Sequence, residues 1–188
     1  MNDSIAKFTF VALDTAHQGM VTEWLNADHV KPYFHGEGLD NTLRDMALFC
    51  EDDPAAESCI FDHWIALSDG VPFGYLMTSP VVGPHNPDDP VDKWYIDGKL
   101  TFTLDLLIGP VEFLGRGLAH VMIQKFILDK ISHADYFIID PEQNNSKAVR
   151  VYEKAGFVKV DEFIPSYDPR LHFMMRLEVS CLGKSINE

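Results

Sequence analysis

Between Leu100 and Ile123 the chain reads LTFTLDLLIGPVEFLGRGLAHVMI, an alternating apolar stretch that passes through glycines into a second apolar pattern of helical period. Such a turn is suited to holding an anion. The first N–H groups of a helix have no intrahelical partner and carry partial positive charge, and glycines before them let a ligand approach the backbone closely. Gly115-Arg116-Gly117-Leu118-Ala119 lacks the Gly-Lys-Ser/Thr ending of an ATP-type phosphate loop. Gly115-x-Gly117-x-x-His120 lacks the third small residue of a dinucleotide fingerprint, so neither nucleotide motif is satisfied.

Other residue types that could do chemistry point away from metals and thiols. Cys50, Cys59 and Cys181 are odd in number and have no C-x-x-C spacing, which predicts buried or idle thiols rather than a disulfide framework or zinc site. The eight histidines form no H-x-x-x-H helix or Cys/His cluster, so no metal is expected, and His63, His120, His133 and His172 read as surface or packing residues. Fifteen basic against 29 acidic residues leave a net charge of -14. That charge opposes attraction to nucleic acid or anionic lipid and favours encounter with cations, although charge for solubility explains it equally well.

The elements that must position the turn follow from periodicity. KFTFVAL has strand composition, and HQGMVTEWLNAD reads as a helix through Met20, Trp24 and Leu25. HVKPYFHGEGLDN should be loop, whereas NTLRDMALFCED places Leu43, Met46, Ala47 and Cys50 on one helical face. HWIALSDGVPFGYLMTSPV predicts a hairpin turning at Asp69-Gly70, and the Pro- and Asp-rich VVGPHNPDDPVDKW a surface loop at the rim of a site. The strand GKLTFTLDLLIG leads into the glycine turn and a helix to about Lys130. ADYFIID is a short buried strand, NNSKAVRVYEKAGF a helix capped at Gly156, and FVKVDEFIP and RLHFMMRLEV are closing strands. The expected architecture is α/β (α+β), with a mixed, mostly antiparallel central sheet flanked by helices. The length of 188 residues and the apolar fraction of 46% suit one domain spanning 1–188. No apolar run approaches the roughly 18 residues of a membrane span, and MNDSIAKFTF is acidic where a signal peptide would be basic, so a cytoplasmic location away from membranes is expected.

Leu114-Gly115-Arg116-Gly117-Leu118-Ala119 resembles motif A of the GNAT superfamily of acyl-CoA-dependent N-acyltransferases, Q/R-x-x-G-x-G/A, with Leu114 departing at the first position. DPEQNNSKAVRVYEKAGF, Asp140 to Phe157, resembles the family's D-P-x-x-x-N-x-x-A-x-x-x-Y-E-K-x-G-F element. The resemblance runs from about Val21 to Val179 and is strongest from Thr101 to Phe157. It implies that the turn holds the pyrophosphate of acetyl-CoA, with Leu106, Leu107, Ile108, Asn145, Ala148, Tyr152 and Lys154 completing the cofactor site. Asn145, Ala148, Val149 and Tyr152 fall at i, i+3, i+4 and i+7, which puts them on one helical face. In the family this tyrosine lies near the sulfur and can protonate the departing thiolate.

Among GNAT branches the chain most resembles aminoglycoside 6'-N-acetyltransferases, through Asp92-Lys93-Trp94-Tyr95, Leu104-Asp105-Leu106-Leu107 and Asp140-Pro141. That resemblance implies that Asp92, Asp105 and Asp140 surround a cationic aminosugar, with Trp94 and Tyr95 as walls and Tyr33 and Phe34 on the substrate side. Carboxylates can orient ammonium groups through charge-assisted hydrogen bonds, but the attacking amine must first lose a proton. An ordinary Asp carboxyl, near pKa 3.9, is a weak base for that task, so either burial raises Asp105 or a water relays the proton. Asp105 is therefore the expected proton acceptor, assisted by Asp92, with direct transfer and no acyl-enzyme. Backbone groups after Asp105 are expected to polarise the thioester carbonyl.

LLIGPVEFLGRGLA also resembles the siderophore hydroxylysine or hydroxyornithine acyltransferases, a branch with His before LLIG where this chain has Asp105. A polyamine acceptor and a noncatalytic acyl-CoA-binding module remain alternatives. Monomer and homodimer are equally open.

Overall fold

The computed structural model describes residues 7–51, 59–83, 92–165 and 168–182, with Asp92 described in its backbone alone. The chain divides into two compact units. One contains the described residues up to Met77 together with Leu106–Leu118, and the other contains Thr78–Asp105 and the described residues from Ala119 onward.

In the first unit, β1 (Phe8–Ala12), β2 (Asp62–Ser68), β3 (Val71–Thr78) and β5 (Asp105–Ile108) form a sheet in the order β1-β2-β3-β5. β1 runs antiparallel to β2, from Phe8 opposite Ser68 to Ala12 opposite Trp64. The β2–β3 turn is Asp69-Gly70, both at positive φ, the two-residue geometry that matches strand twist. Helix α1 (Thr15–Leu25) starts at Asp14, whose carboxylate accepts from the N–H groups of Ala16 and His17. It buries Val21, Trp24 and Leu25 in a core shared with Val30, Met46, Ile65, Tyr75 and Leu107.

Helix α2 (Gly36–Cys50) begins five residues before the expected Asn41. Its glycines read as loop, yet Leu39 and Leu43 pack on the same core as Met46, and this tertiary contact outweighs weak helix propensity. Asp45 of α2 accepts from Ile60 N–H at 2.6 Å and Phe61 N–H at 3.0 Å, and contacts His63 Nε2 at 2.9 Å. His63 Nδ1 lies 2.5 Å from the Tyr75 hydroxyl. His63 is fully buried, and burial lowers its pKa despite the bond to Asp45.

The second unit holds a sheet in the order β4-β6-β8-β7, made of β4 (Thr101–Thr103), β6 (Tyr136–Ile139), β7 (Val158–Phe163) and β8 (His172–Glu178). β4 and β6 are parallel and are connected through α3 (Leu118–Lys130), while β8 is antiparallel to both β6 and β7. α3 buries Met122, Ile123, Phe126 and Ile127. α4 (Ser146–Ala155) ends at Gly156, whose φ of 109° makes the left-handed cap its sequence predicts.

The expected single strand 98–109 is divided. Thr101–Thr103 pairs with β6, Leu104 N–H donates to the Ile138 carbonyl at 3.0 Å, and Asp105–Ile108 joins the other sheet. Apolar residues alternate in the sequence on both sides of the division, whereas burial falls on Thr101, Leu104 and Leu107, because a period-two sequence pattern does not fix hydrogen-bond partners.

Candidate active site

The division places Asp105 at the first position of β5, two residues after β4 ends. Thr103 is paired with Ile138 in parallel register, so Asp105 and Asp140 each lie two residues beyond the same rung of the ladder. Asp105 is half-buried. Desolvation, followed by the charge of Asp140, raises its carboxyl to about 7. Tyr152, buried in the last turn of α4, has its phenol pushed upward by desolvation first and then by Asp105 and Asp140. The structure thus brings together three of the expected residues, as a carboxyl that can take a proton near neutrality and a phenol that keeps its own.

Asp140 has a further neighbour that the sequence concealed. His172, the first residue of β8, places Nδ1 2.7 Å from the Asp140 carbonyl oxygen and 3.3 Å from its Oδ2, and Nε2 3.7 Å from Asp168 Oδ2. Burial alone would lower the His172 pKa, but bonding to Asp140 and the charges of Asp140 and Asp168 outweigh it and raise it. Arg170 clamps Asp168 through Nε and Nη2 and reaches Glu142 through Nη1 at 2.6 Å. Asp168 is consequently held well below the usual carboxylate range, with the Arg170 hydrogen bond as the leading cause. No spacing in the sequence marks His172, because the β6–β8 register alone carries it back to Asp140.

Trp94 and Tyr95 are half-buried against Val81, Ile138 and Met174, and Tyr95 donates to Asp97 at 3.4 Å. Asp92 begins the short 3-10 turn before them, but its side chain lies outside the described residues, as do residues 84–91 of the expected rim loop. Tyr33 and Phe34 belong to the first unit, where Tyr33 is exposed and Phe34 packs on the core.

Of the residues expected to hold cofactor, Leu106, Leu107 and Ile108 form β5, with the Leu107 side chain in the core. The Ile108 carbonyl accepts from His29 Nε2 at 2.9 Å, a contact the sequence did not suggest. Gly109 lies so close to Trp24 that an added Cβ would meet the indole at 2.0 Å, an allowance also unseen in the sequence. The exposed Leu114 leads to Gly115 and Gly117 at φ of 70° and 72°, after which Leu118 and Ala119 open α3. A Cβ at Gly115 would meet nothing within 4 Å, so the backbone there faces open space. Arg116 lies over the Phe113 ring, 5.4 Å from its centroid. Open backbone ahead of a helix start is a geometry that an anion could use.

In the second unit, Asn145 is the N-cap of α4, its Oδ1 accepting from Ala148 N–H at 3.2 Å. That engages the side-chain oxygen, and the side-chain amide is the group it can offer a ligand. Lys154 is exposed in the last turn of the same helix.

A family model described as an acetyltransferase (GNAT) domain matches residues 14–164. An aminoglycoside N(6')-acetyltransferase type 1 of Klebsiella pneumoniae is 28% identical over 161 residues, covering 83% of this chain and 75% of that relative. The solved aminoglycoside N(6')-acetyltransferase of Legionella pneumophila is 33% identical, with a TM-score of 0.82 over 98% of this chain and 99% of that one. AAC(6')-Ib, solved in complex with ribostamycin and coenzyme A, is 23% identical and shares the fold, with a TM-score of 0.77 over 97% and 99% of the two chains. With the family model covering most of its length and the L. pneumophila relative matching nearly all of it, this chain belongs to the GNAT acetyltransferases and is an acyltransferase enzyme of the aminoglycoside-acetyltransferase type.

Proposed function

We propose that the chain moves an acetyl group from acetyl-CoA directly to a primary amine of a cationic small molecule, and that the acceptor is the 6'-amine of an aminoglycoside. One observation carries this reading: Asp105 and Asp140 lie two residues past the same rung of the β4–β6 ladder, where burial and the Asp140 charge raise the Asp105 carboxyl and push the buried Tyr152 phenol upward. The names of the K. pneumoniae and L. pneumophila relatives support the acceptor class. The family match across both units supports their working as one domain.

In this mechanism Asp140 and Asp92 orient the cationic acceptor, and Trp94 and Tyr95 wall it. Asp105 takes one proton from the ammonium form of the acceptor, directly or through water, the freed nitrogen then adds to the thioester carbonyl carbon, and its second proton passes to solvent. The N–H groups of the β5 backbone stabilise the carbonyl oxygen while it carries negative charge. Tyr152 gives its proton to the sulfur as the C–S bond breaks, and solvent restores it. The open backbone at Gly115 and the start of α3 bind the pyrophosphate, which holds the donor in place.

Thiol release from acetyl-CoA, measured across aminoglycosides, polyamines and hydroxylated lysine and ornithine, tests the reading. Turnover of 6'-amino aminoglycosides that collapses in Asp105→Asn supports it. Preference for a hydroxylamine acceptor moves the chain to the siderophore type, and binding of acetyl-CoA without turnover of any acceptor withdraws the assignment.

A further inference from the structure

The β6–β8 ladder continues past Ile139 opposite Met175. Phe173 N–H donates to the Pro141 carbonyl at 3.0 Å, Glu142 bridges His172, and Gln143 N–H donates to the Leu171 carbonyl at 2.9 Å. The start of β8 is therefore fixed along the segment that follows Asp140. His172 is 7% exposed, so its contacts are made with little competition from water.

A carbonyl oxygen can only accept, so the 2.7 Å contact requires a proton on Nδ1 of His172. The same N–H is 3.3 Å from the Asp140 carboxylate, and the other ring nitrogen faces Asp168 at 3.7 Å. Asp168 cannot turn away freely, because Arg170 Nε donates to Oδ1 and Nη2 to Oδ2. Glu142 is drawn toward the same guanidinium, and the Phe163 ring from β7 lies 6.1 Å from the imidazole. Carboxylates thus stand at both ring nitrogens, an arrangement that favours the doubly protonated ring.

We propose that His172 is a positioning residue of this site, its imidazolium fixing Asp140 from the neighbouring strand and, through Asp140, setting the charge that Asp105 experiences. Asp140 is the leading charged neighbour of Asp105, and a cation against Asp140 offsets part of that negative field. Loss of the cation leaves Asp105 facing a less compensated carboxylate, which makes it harder to ionise. The consequence for rate rests on the function proposed above, whereas the titrations of His172 and Asp105 do not.

Carbon-13 NMR of the His172 ring and the Asp105 carboxyl, followed across pH, tests the assignment in the whole chain. In the unmodified protein His172 is expected to titrate above its ordinary value of about 6.5. In His172→Gln the Asp105 midpoint is expected to rise by roughly 0.5–1 unit, as removal of one partly screened charge dictates. The acid limb of kcat/KM should move with it, so that activity lost near neutrality returns at higher pH. A merely structural role would lower activity at every pH and leave the Asp105 midpoint in place. An unmoved Asp105 midpoint in folded His172→Gln overturns the proposal. Should that variant fail to fold, a His172 midpoint at or below 6.5 in the unmodified protein overturns it equally. If both titrations behave as expected while no acceptor releases thiol, the positioning role stands and the proposed function falls.

Discussion

Asp105 and Asp140 lie two residues past the same rung of the β4–β6 ladder, and the charge of Asp140 adds to desolvation in holding the Asp105 carboxyl near neutrality. Two carboxylates on adjacent strand ends would repel to no purpose in a merely structural site. In the proposed reaction they would provide a base matched to the pH at which an ammonium group must be deprotonated.

Asp105 should act as a rate-limiting base and as a source of instability. Its carboxyl is raised from 3.8 to about 7 in the fold, so between these values the folded state holds a proton that the unfolded state has released. Stability must therefore fall as pH rises through that window. Asp105→Asn is expected to lower kcat/KM by about 10²-fold or more. The same change should stabilise the protein at pH 8 by roughly 1–3 kcal/mol, which denaturant melts at pH 5 and pH 8 would show.

Tyr152→Phe keeps the buried ring and removes the proposed proton donor. The expected result is a fall in kcat of about 10²-fold with little change in KM for acetyl-CoA. Steady-state rates with acetyl-CoA varied at saturating acceptor would check it, and an unchanged kcat would remove Tyr152 from the chemistry.

Gly115→Ala places a side chain at a φ of 70° with no steric neighbour, so the effect is confined to the backbone and the ligand. Strain of about 1–2 kcal/mol is expected, and weaker coenzyme A binding by calorimetry should accompany it. Gly109→Ala differs, because its Cβ would overlap the Trp24 indole at 2.0 Å. That variant should lose roughly 1–3 kcal/mol of stability through overpacking, measurable as a lower denaturation midpoint.

Asp45 joins α2 to the entry of β2 through two backbone N–H groups and the buried His63. Asp45→Ala leaves these donors without their acceptor and should destabilise the fold by about 3 kcal/mol or more, read from urea unfolding. Asp45→Asn keeps one acceptor oxygen and should lose less.

His172 links stability to pH in the opposite sense to a depressed carboxylate. Its folded pKa is raised, so its contribution is fully present below 6.5 and disappears as pH rises through the folded value. His172→Gln should therefore destabilise the protein more at pH 5.5 than at pH 8.5, an ordering that paired thermal melts would test.

The sequence by itself determined the elements that depend on neighbours in the chain. Gly115 and Gly117 mark the turn because only a glycine adopts their φ readily, Asp69-Gly70 marks the hairpin for the same reason, and Gly156 marks the end of α4. The helix that carries Asn145 and Tyr152 was equally legible, since helical spacing is local, whereas the roles expected of those two residues came from the family resemblance. Tertiary structure alone decided that the strand through Leu104 divides between two sheets, because alternation does not encode hydrogen-bond partners. It alone decided that Gly36–Asp40 is helical, that Gly109 makes room for Trp24, and that Asp45 and His63 are buried together. His172 shows the division most sharply. It is 32 positions from Asp140 in sequence, and the β6–β8 register brings its ring onto that residue. A pKa is set by desolvation and by charges within a few ångströms, both of which exist only once distant strands have paired.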